Sequence, residues 1–569
     1  MPFPHPHEAG GTGIDSSGPM PPTPGPKPKG GPAFRIALCL TGILAVLLTQ
    51  LRLMASTNFT GFDEWLIVQL VSKGIIDVPH GNRPVHLLWL LPASLVPHSL
   101  VPYVLLHGFY AFASAGLVFL LVRRLLPAEP IVGLLAALFS LVWGPGDLAR
   151  LSTIERVGYT AFEFGTLLAV ALLVESWRLG NVGLLWLSAL VAFLVARSYE
   201  APLPLLVLAP LLLLVSGGGR HASLRRWVLV FDGVLALAAG LVLLPSFLKS
   251  DVMAYQLHVL GLDLVPTHIA FRLARQYLYH LAPLVLSEPR ELMTPAVPLA
   301  VATFSLVLLA FSWAFPSSGR PGRGTLVKAG AAGLAWAGLS YLVLSLTPSG
   351  PTALRMQILS APGIGLFLAC LVVALASALP PRAQGAGAAV LGAWIVAVGT
   401  GRTVEMQKTW DAVSFYPAQI RMLRGLTGQV RDVKPGTLVV LLDEGGAWRA
   451  TYGFRHALMY LYEGRAIGYI PGAWDALYPA RFTPAGIVIE PWPSLRASWG
   501  VRASLSRYDE TIVARYTREG QVQVLEQWPS ELPKLPDGAR YLPLSRVLPG
   551  AEPLPEQAIL GRAPPSPRG

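Results

Sequence analysis

Residues Thr57 to His98 read TNFTGFDEWLIVQLVSKGIIDVPHGNRPVHLLWLLPASLVPH and lie between two long apolar runs. Asp63, Glu64, Lys73, Asp77, His80, Arg83 and His86 all fall within them. Ionisable groups are costly near a bilayer unless they face a polar cavity or a partner, so their density here marks a working loop. The apolar run before it, from Phe34 to about Ala55, follows Lys27, Lys29 and Arg35 and lacks a small-residue cleavage site. It reads as a retained first span, and its basic flank places the N-terminus in the cytoplasm and the loop over 56–100 outside.

Composition agrees. The 569 residues are 53% hydrophobic and only 13% charged, with a mean hydropathy of +0.53, where a soluble chain carries about 25% charged residues. This excludes an ordinary soluble domain and predicts a polytopic α-helical membrane protein. The net charge of +12 would also suit nucleic acid, but Lys and Arg come in small groups between apolar runs. That is the pattern of cytoplasmic loops beside anionic lipid, so no nucleic-acid partner is expected. Cys39 and Cys370 both sit in apolar runs and read as lipid-facing or packed thiols, with no metal site implied.

Residues 1–33 are rich in Pro and Gly and read as a disordered cytoplasmic tail. After the loop, apolar runs recur at about 101–126, 130–146, 159–177, 181–197, 200–216, 227–248, 296–315, 329–347, 356–379 and 386–402. With the first, that makes about eleven spans in a membrane domain over 34–402. Threading them alternately puts Arg123, Arg124, Arg178, the Arg220–Arg226 loop, the Arg320–Lys328 loop and Arg382 on the cytoplasmic side. In a second long outer loop over 249–295, HIAFRLARQYLYHLAPLVL reads as an interfacial helix or an extra pair of short crossings. From Thr403 the pattern turns water-soluble: PGTLVVLLDEGG and GIVIEPWP read as strands and FRHALMYLYEG as a helix. A C-terminal extracytoplasmic α/β domain over 403–549 follows, then a Pro-rich tail over 550–569.

Phe62, Trp65, Leu66 and Leu70 share one face of a helix that Asp63 opens, which predicts an amphipathic helix lying in the membrane interface. Asp63 and Glu64 are then either favourable first-turn charges or catalytic acids. Arg83 is held extended by Pro84 and, with His86 nearby, is either an oxyanion ligand or a snorkelling interfacial residue. Glu163 and Asp232 fall near or within spans, where helix-packing pairs and functional acids are equally expected.

An apolar first span, an outer loop with FDEW, then an RP dipeptide and an apolar helix resembles the GT-C superfamily of polytopic glycosyltransferases that use polyprenyl-phosphate sugars. Within it the likeness is to the protein O-mannosyltransferase and aminoarabinose transferase type. LVARSYEAPLPLL at 194–206 and LRMQILSAPGIGL at 354–366 are similar to two further family segments, with Tyr199 standing where the family often has a lysine. The resemblance implies an inverting glycosyltransferase of the cytoplasmic (inner) membrane. It would move a sugar from a polyprenyl-phosphate carrier to a glycan, lipid or protein acceptor outside. Asp63 would be the general base with Glu64 beside it, Arg355 and Arg83 would meet the leaving phosphate, and Glu200 and His86 would bind substrate. The resemblance implies no certain cofactor and leaves a divalent cation open. The competing class is a transporter or flippase of a lipid-linked or anionic substrate, which should show two related halves with broken helices and midplane charges. Here no such repeat is visible and the charges gather at predicted outer span ends. A non-catalytic membrane scaffold is the third reading.

Overall fold

The computed structural model describes residues 31–54, 63–74, 87–96, 99–144, 154–214, 224–248, 261, 263–315, 322–347, 357–413, 415–473, 477–492 and 502–548. Helix α1 (Pro32–Met54) is followed by the short helices α2 (Asp63–Ser72) and α3 (Leu87–Ser94). Next come α4 (Val101–Leu125), α5 (Pro130–Val142), α6 (Glu155–Leu179), α7 (Val182–Ser198), α8 (Leu203–Leu208) with a 3-10 extension over Ala209–Leu214, and α9 (Leu224–Leu248). After α10 (Pro266–Leu281), the bundle closes with α11 (Ala296–Ala314), α12 (Arg323–Ser345), α13 (Gln357–Ser377) and α14 (Gln384–Val413).

Every one of the eleven apolar runs is a helix. Among the described residues seven helices, α1, α4, α6, α11, α12, α13 and α14, are long and apolar enough to cross a membrane by length and composition, while α5, α7 and extended α8 are shorter apolar helices. Helix α5 is apolar on all sides and buried on nearly all of them, as a central helix must be. Glycines let α12 and α13 touch backbone to backbone: a Cβ on Gly333 would lie 2.5 Å from the Gly363 carbonyl oxygen. Cys39 and Cys370 are buried free thiols, packed among these helices.

Within the outer loop expected over 249–295, residues 266–292 pack beside the bundle. Arg272 Nη1 donates to the Ser345 carbonyl at one end of α12 (2.9 Å), and Tyr277 Oη donates to the Leu334 carbonyl halfway along that helix (2.5 Å). Trp394 Nε1, well inside α14, donates to the Leu284 carbonyl (3.1 Å), and Glu291 then pairs with Arg402 farther along α14. Residues 266–292 therefore descend beside the bundle to about half its depth and return to the end they left. Arg272 and His280 hold them there by bonding inward, to Ser345 and Tyr341, with buried Gln276 between them.

Helix α14 runs past 402 to Val413, and α15 (Tyr416–Gln429) opens the α/β region. It continues with β1 (Thr437–Asp443), α16 (Thr451–Leu461), β2 (Ala466–Tyr469), β3 (Ala480–Thr483), β4 (Gly486–Ile489), β5 (Ser504–Ser506), β6 (Thr511–Tyr516) and β7 (Val522–Val524). One sheet has the order β2-β1-β6-β7, and β3-β4-β5 form a small antiparallel sheet. β1 pairs parallel to both β2 and β6, so Leu438 to Leu441 are buried on both faces. Helix α16 is the crossover that a parallel β1–β2 pair requires.

Helix α2 departs from expectation. It is not an amphipathic helix lying in an interface, because every residue from Glu64 to Val71 is buried. Trp65, Val68 and Val71 join one apolar cluster that takes in Val157 and Ala161 of α6 and Tyr416 and Trp448 of the α/β domain, whereas Leu66 and Leu70 join a second core of the α/β domain with Leu438 and Val440. The domain covers the face that would otherwise meet headgroups.

Candidate functional site

Helix α2 carries the acid pair, and its sequence supplies the groups that fix it. Trp65 Nε1 donates to Gln419 Oε1 on α15 (2.8 Å), and its ring packs against Tyr416, Trp448 and Tyr460 at centroid distances of 6.1 to 6.5 Å. Asp443, at the end of β1, sets Trp448 in place by accepting the N–H groups of Ala447 (3.0 Å) and Trp448 (2.7 Å). Burial raises the Asp443 pKa, and those N–H groups oppose the rise. One turn on from Trp65, Gln69 Oε1 lies 2.6 Å from His456 Nδ1 on α16, a bond that needs the proton on Nδ1. Burial, then the charges of Arg455 and Lys73, lowers the His456 pKa to about 3, so the imidazole is neutral near pH 7.

Polar groups also gather inside the same end of the bundle. His107 and Ser114 on α4 and Thr160 and Glu163 on α6 are all buried, and they line a cavity of about 40 Å³ with Ser140, Trp143 and Ile358. That volume holds water molecules, not a sugar. Arg156, also buried, stands one turn above Thr160 and accepts the Thr160 hydroxyl at its carbonyl (2.9 Å). On the far side of Trp143, its Nε1 donates to the His280 carbonyl (3.0 Å), and His280 Nδ1 lies 2.5 Å from Tyr341 Oη and 3.5 Å from Ser360 Oγ. A polar seam thus crosses the bundle from α4 and α6 to α12 and α13.

The expected residues fall as follows. Asp63 is the first residue of α2, and only its backbone is described; Glu64 beside it is fully buried. Glu200 is half-buried in the turn between α7 and α8, where its carbonyl accepts the N–H of Leu203 (3.1 Å). Its neighbour Tyr199 stacks on Phe162 of α6 at 4.9 Å, and Ala201 packs with Leu359 near the start of α13. The Glu200 turn therefore joins α6 to the helix that follows Arg355. Arg83, His86 and Arg355 lie outside the described residues. Sequence reading missed His107, Gln69 and His456. A histidine in an apolar run was the one local signal for His107, and Gln69 and His456 are 387 residues apart.

No family model matches the chain, and no curated protein matches it. Among solved structures it is similar to ArnT from Cupriavidus metallidurans bound to undecaprenyl phosphate, with 12% identity and a TM-score of 0.40 over 77% of this chain and 85% of that one. It is also similar to the oligosaccharyltransferase of Archaeoglobus fulgidus tethered with an acceptor peptide, with 12% identity and a TM-score of 0.37 over 77% of this chain and 64% of that one.

Proposed function

We propose that this protein is an integral membrane glycosyltransferase that moves a sugar from a polyprenyl-phosphate carrier to an acceptor outside the cytoplasm, with Asp63 as general base. The observation that carries the reading is the clamping of α2. A helix opening with two acids directly after the first long span is buried in an apolar cluster that bundle and α/β residues share, and it is bonded to the α/β domain through Gln419 and His456. Charges that merely capped a helix would not call for two domains to hold it, whereas a base must stay within hydrogen-bond reach of its proton.

In this mechanism Asp63 takes the proton from the acceptor nucleophile as that nucleophile attacks the anomeric carbon. The bond from that carbon to the phosphate oxygen breaks with inversion, and its electron pair leaves on the polyprenyl phosphate. Arg355 and Arg83 meet the charge that develops there, which is where fixed cations lower a barrier most. Glu200 and His86 contact the sugar or the acceptor, and Glu64 orients the start of α2. The α/β domain stands outside the membrane beside the acceptor.

Purified Asp63→Asn protein, assayed with short-chain polyprenyl-phosphate sugars, should lose transfer by about 10²- to 10⁴-fold. Full transfer by a folded Asp63→Asn protein would overturn the assignment. Orientation has its own measurement: a cysteine replacing exposed Arg449 should react with an impermeant reagent added outside, and protection from it would invert the topology.

A further inference from the structure

A second cavity, of about 340 Å³, lies away from the α2 site. This is within the ~300–1,000 Å³ range of small-molecule pockets. Leu121 of α4, Leu167 of α6, Leu366 of α13 and Trp336 of α12 wall it, and Ala332 stands exposed at its edge. Its lining along α12 runs from Thr325 to Trp336, about 16 Å at 1.5 Å per residue, so the cavity is an elongated slot. The polar side chains that line it, Thr325 and Lys328, lie together at one end and are both exposed. Arg323 stands exposed in the same turn of α12, and Arg124, at the end of α4 that reaches the slot, is paired with Glu175 and leaves Lys328 and Arg323 as the cations there. The backbone contact of Gly333 with Gly363 keeps the α12–α13 wall from closing or spreading.

An apolar slot with cations at one end fits a chain carrying an anionic head. We propose that it binds one acyl chain of an anionic glycerophospholipid whose phosphate meets Lys328. The polyprenyl donor is the wrong occupant on geometric grounds. The slot lies at the Leu121–Leu126 end of α4, while the end of α1 that leads toward α2 packs near the other end of α4, Leu51 against Gly108, and 18 residues of helix from Gly108 to Leu126 span about 27 Å. A phosphate at Lys328 is therefore in the leaflet opposite to one at Asp63. The site is a lipid-binding site independent of glycosyl transfer.

The test uses the full chain in detergent, with phosphatidylglycerol or phosphatidylcholine added and bound lipid counted by native mass spectrometry. Wild type should retain phosphatidylglycerol preferentially. Lys328→Gln should weaken retention about fivefold, the effect of one cation near an anionic headgroup. Ala332→Phe should block the slot and abolish the preference, while Ala335→Phe, exposed on α12 but off the slot, should leave it unchanged. Each variant is first required to melt as wild type does without lipid. Equal retention of both lipids by wild type, undiminished retention by Lys328→Gln or Ala332→Phe, or displacement by polyprenyl phosphate in preference to phosphatidylglycerol would overturn the proposal.

Discussion

Helices α2 and α10 are built on opposite principles, although each follows a long helix at the same end of the bundle. In α2 the large apolar side chains Trp65, Leu66, Val68 and Leu70 all point into protein, and they point in different directions. In α10 the polar stripe Arg272, Gln276 and His280 points inward, with Gln276 and His280 buried, while Phe271 and Leu278 are 66% and 62% exposed. A helix that is apolar all round needs cover on every side, and α2 obtains it because the α/β domain closes over it. A helix that turns its polar face inward and its large apolar groups outward is suited to lipid, where inward hydrogen bonds are the ones without competition from water. One helix is core between two domains, and the other turns its large apolar side chains to the outside.

The largest stability effect that separates them should come from Trp65→Ala. It removes a fully buried indole, the Gln419 bond and three aromatic contacts, and truncations of this kind cost about 3–5 kcal/mol. Melting of the purified protein should fall accordingly, and proteolysis should reach the α/β domain sooner. A melt unchanged by Trp65→Ala would mean that α2 is not the element joining domain to bundle.

Gln69→Leu tests the same joint more gently. It leaves His456 Nδ1 without its acceptor in a buried site, at a cost of about 1–3 kcal/mol. pH supplies a second reading of this contact. The folded pKa of His456 lies near 3 and its ordinary value is 6.5, so between those values the unfolded chain holds a proton that the folded chain does not. Stability contributed by neutral His456 is complete above pH 6.5 and is lost as pH falls toward 3, at about 1.4 kcal/mol per pH unit. His456→Asn should flatten that part of the stability profile, and an equal slope in both proteins would place the acid sensitivity elsewhere.

How much of this could be read in advance depended on the range of each interaction. Apolar runs are local, so all eleven are helices, and the strands expected in PGTLVVLLDEGG and GIVIEPWP and the helix expected in FRHALMYLYEG are found at 437–443, 486–489 and 451–461. Asp63 and Glu64 drew notice because charge is rare in such a chain. What covers α2 was not legible, since Gln69 and His456 meet across 387 residues and neither neighbourhood announces the other. The wrong expectation for α2 came from reading Trp65, Leu66 and Leu70 as a single face, when Trp65 sits in a cluster that bundle and α/β residues share and the two leucines sit in a separate core of the α/β domain. HIAFRLARQYLYHLAPLVL, at 268–286, reads as an interfacial helix or a pair of short crossings, but sequence does not say which face is inside. That was decided by the carbonyls of Ser345 and Leu334, supplied by a helix about sixty residues later.

The smallest expected effect is the one that defines α10. Phe271→Cys removes an exposed ring and should change stability in detergent by less than about 0.5 kcal/mol, as substitutions outside packed regions do. Its value is in what the new thiol touches. A nitroxide label attached there, with buried Cys39 and Cys370 replaced by alanine, should in bilayers be more accessible to oxygen, which concentrates among acyl chains, than to a water-soluble nickel chelate. A label at exposed Arg449 in the α/β domain should show the reverse. If the Phe271 label instead favoured the chelate, α10 would face water, its apolar side would need a covering partner as α2 does, and the contrast between the two helices would collapse.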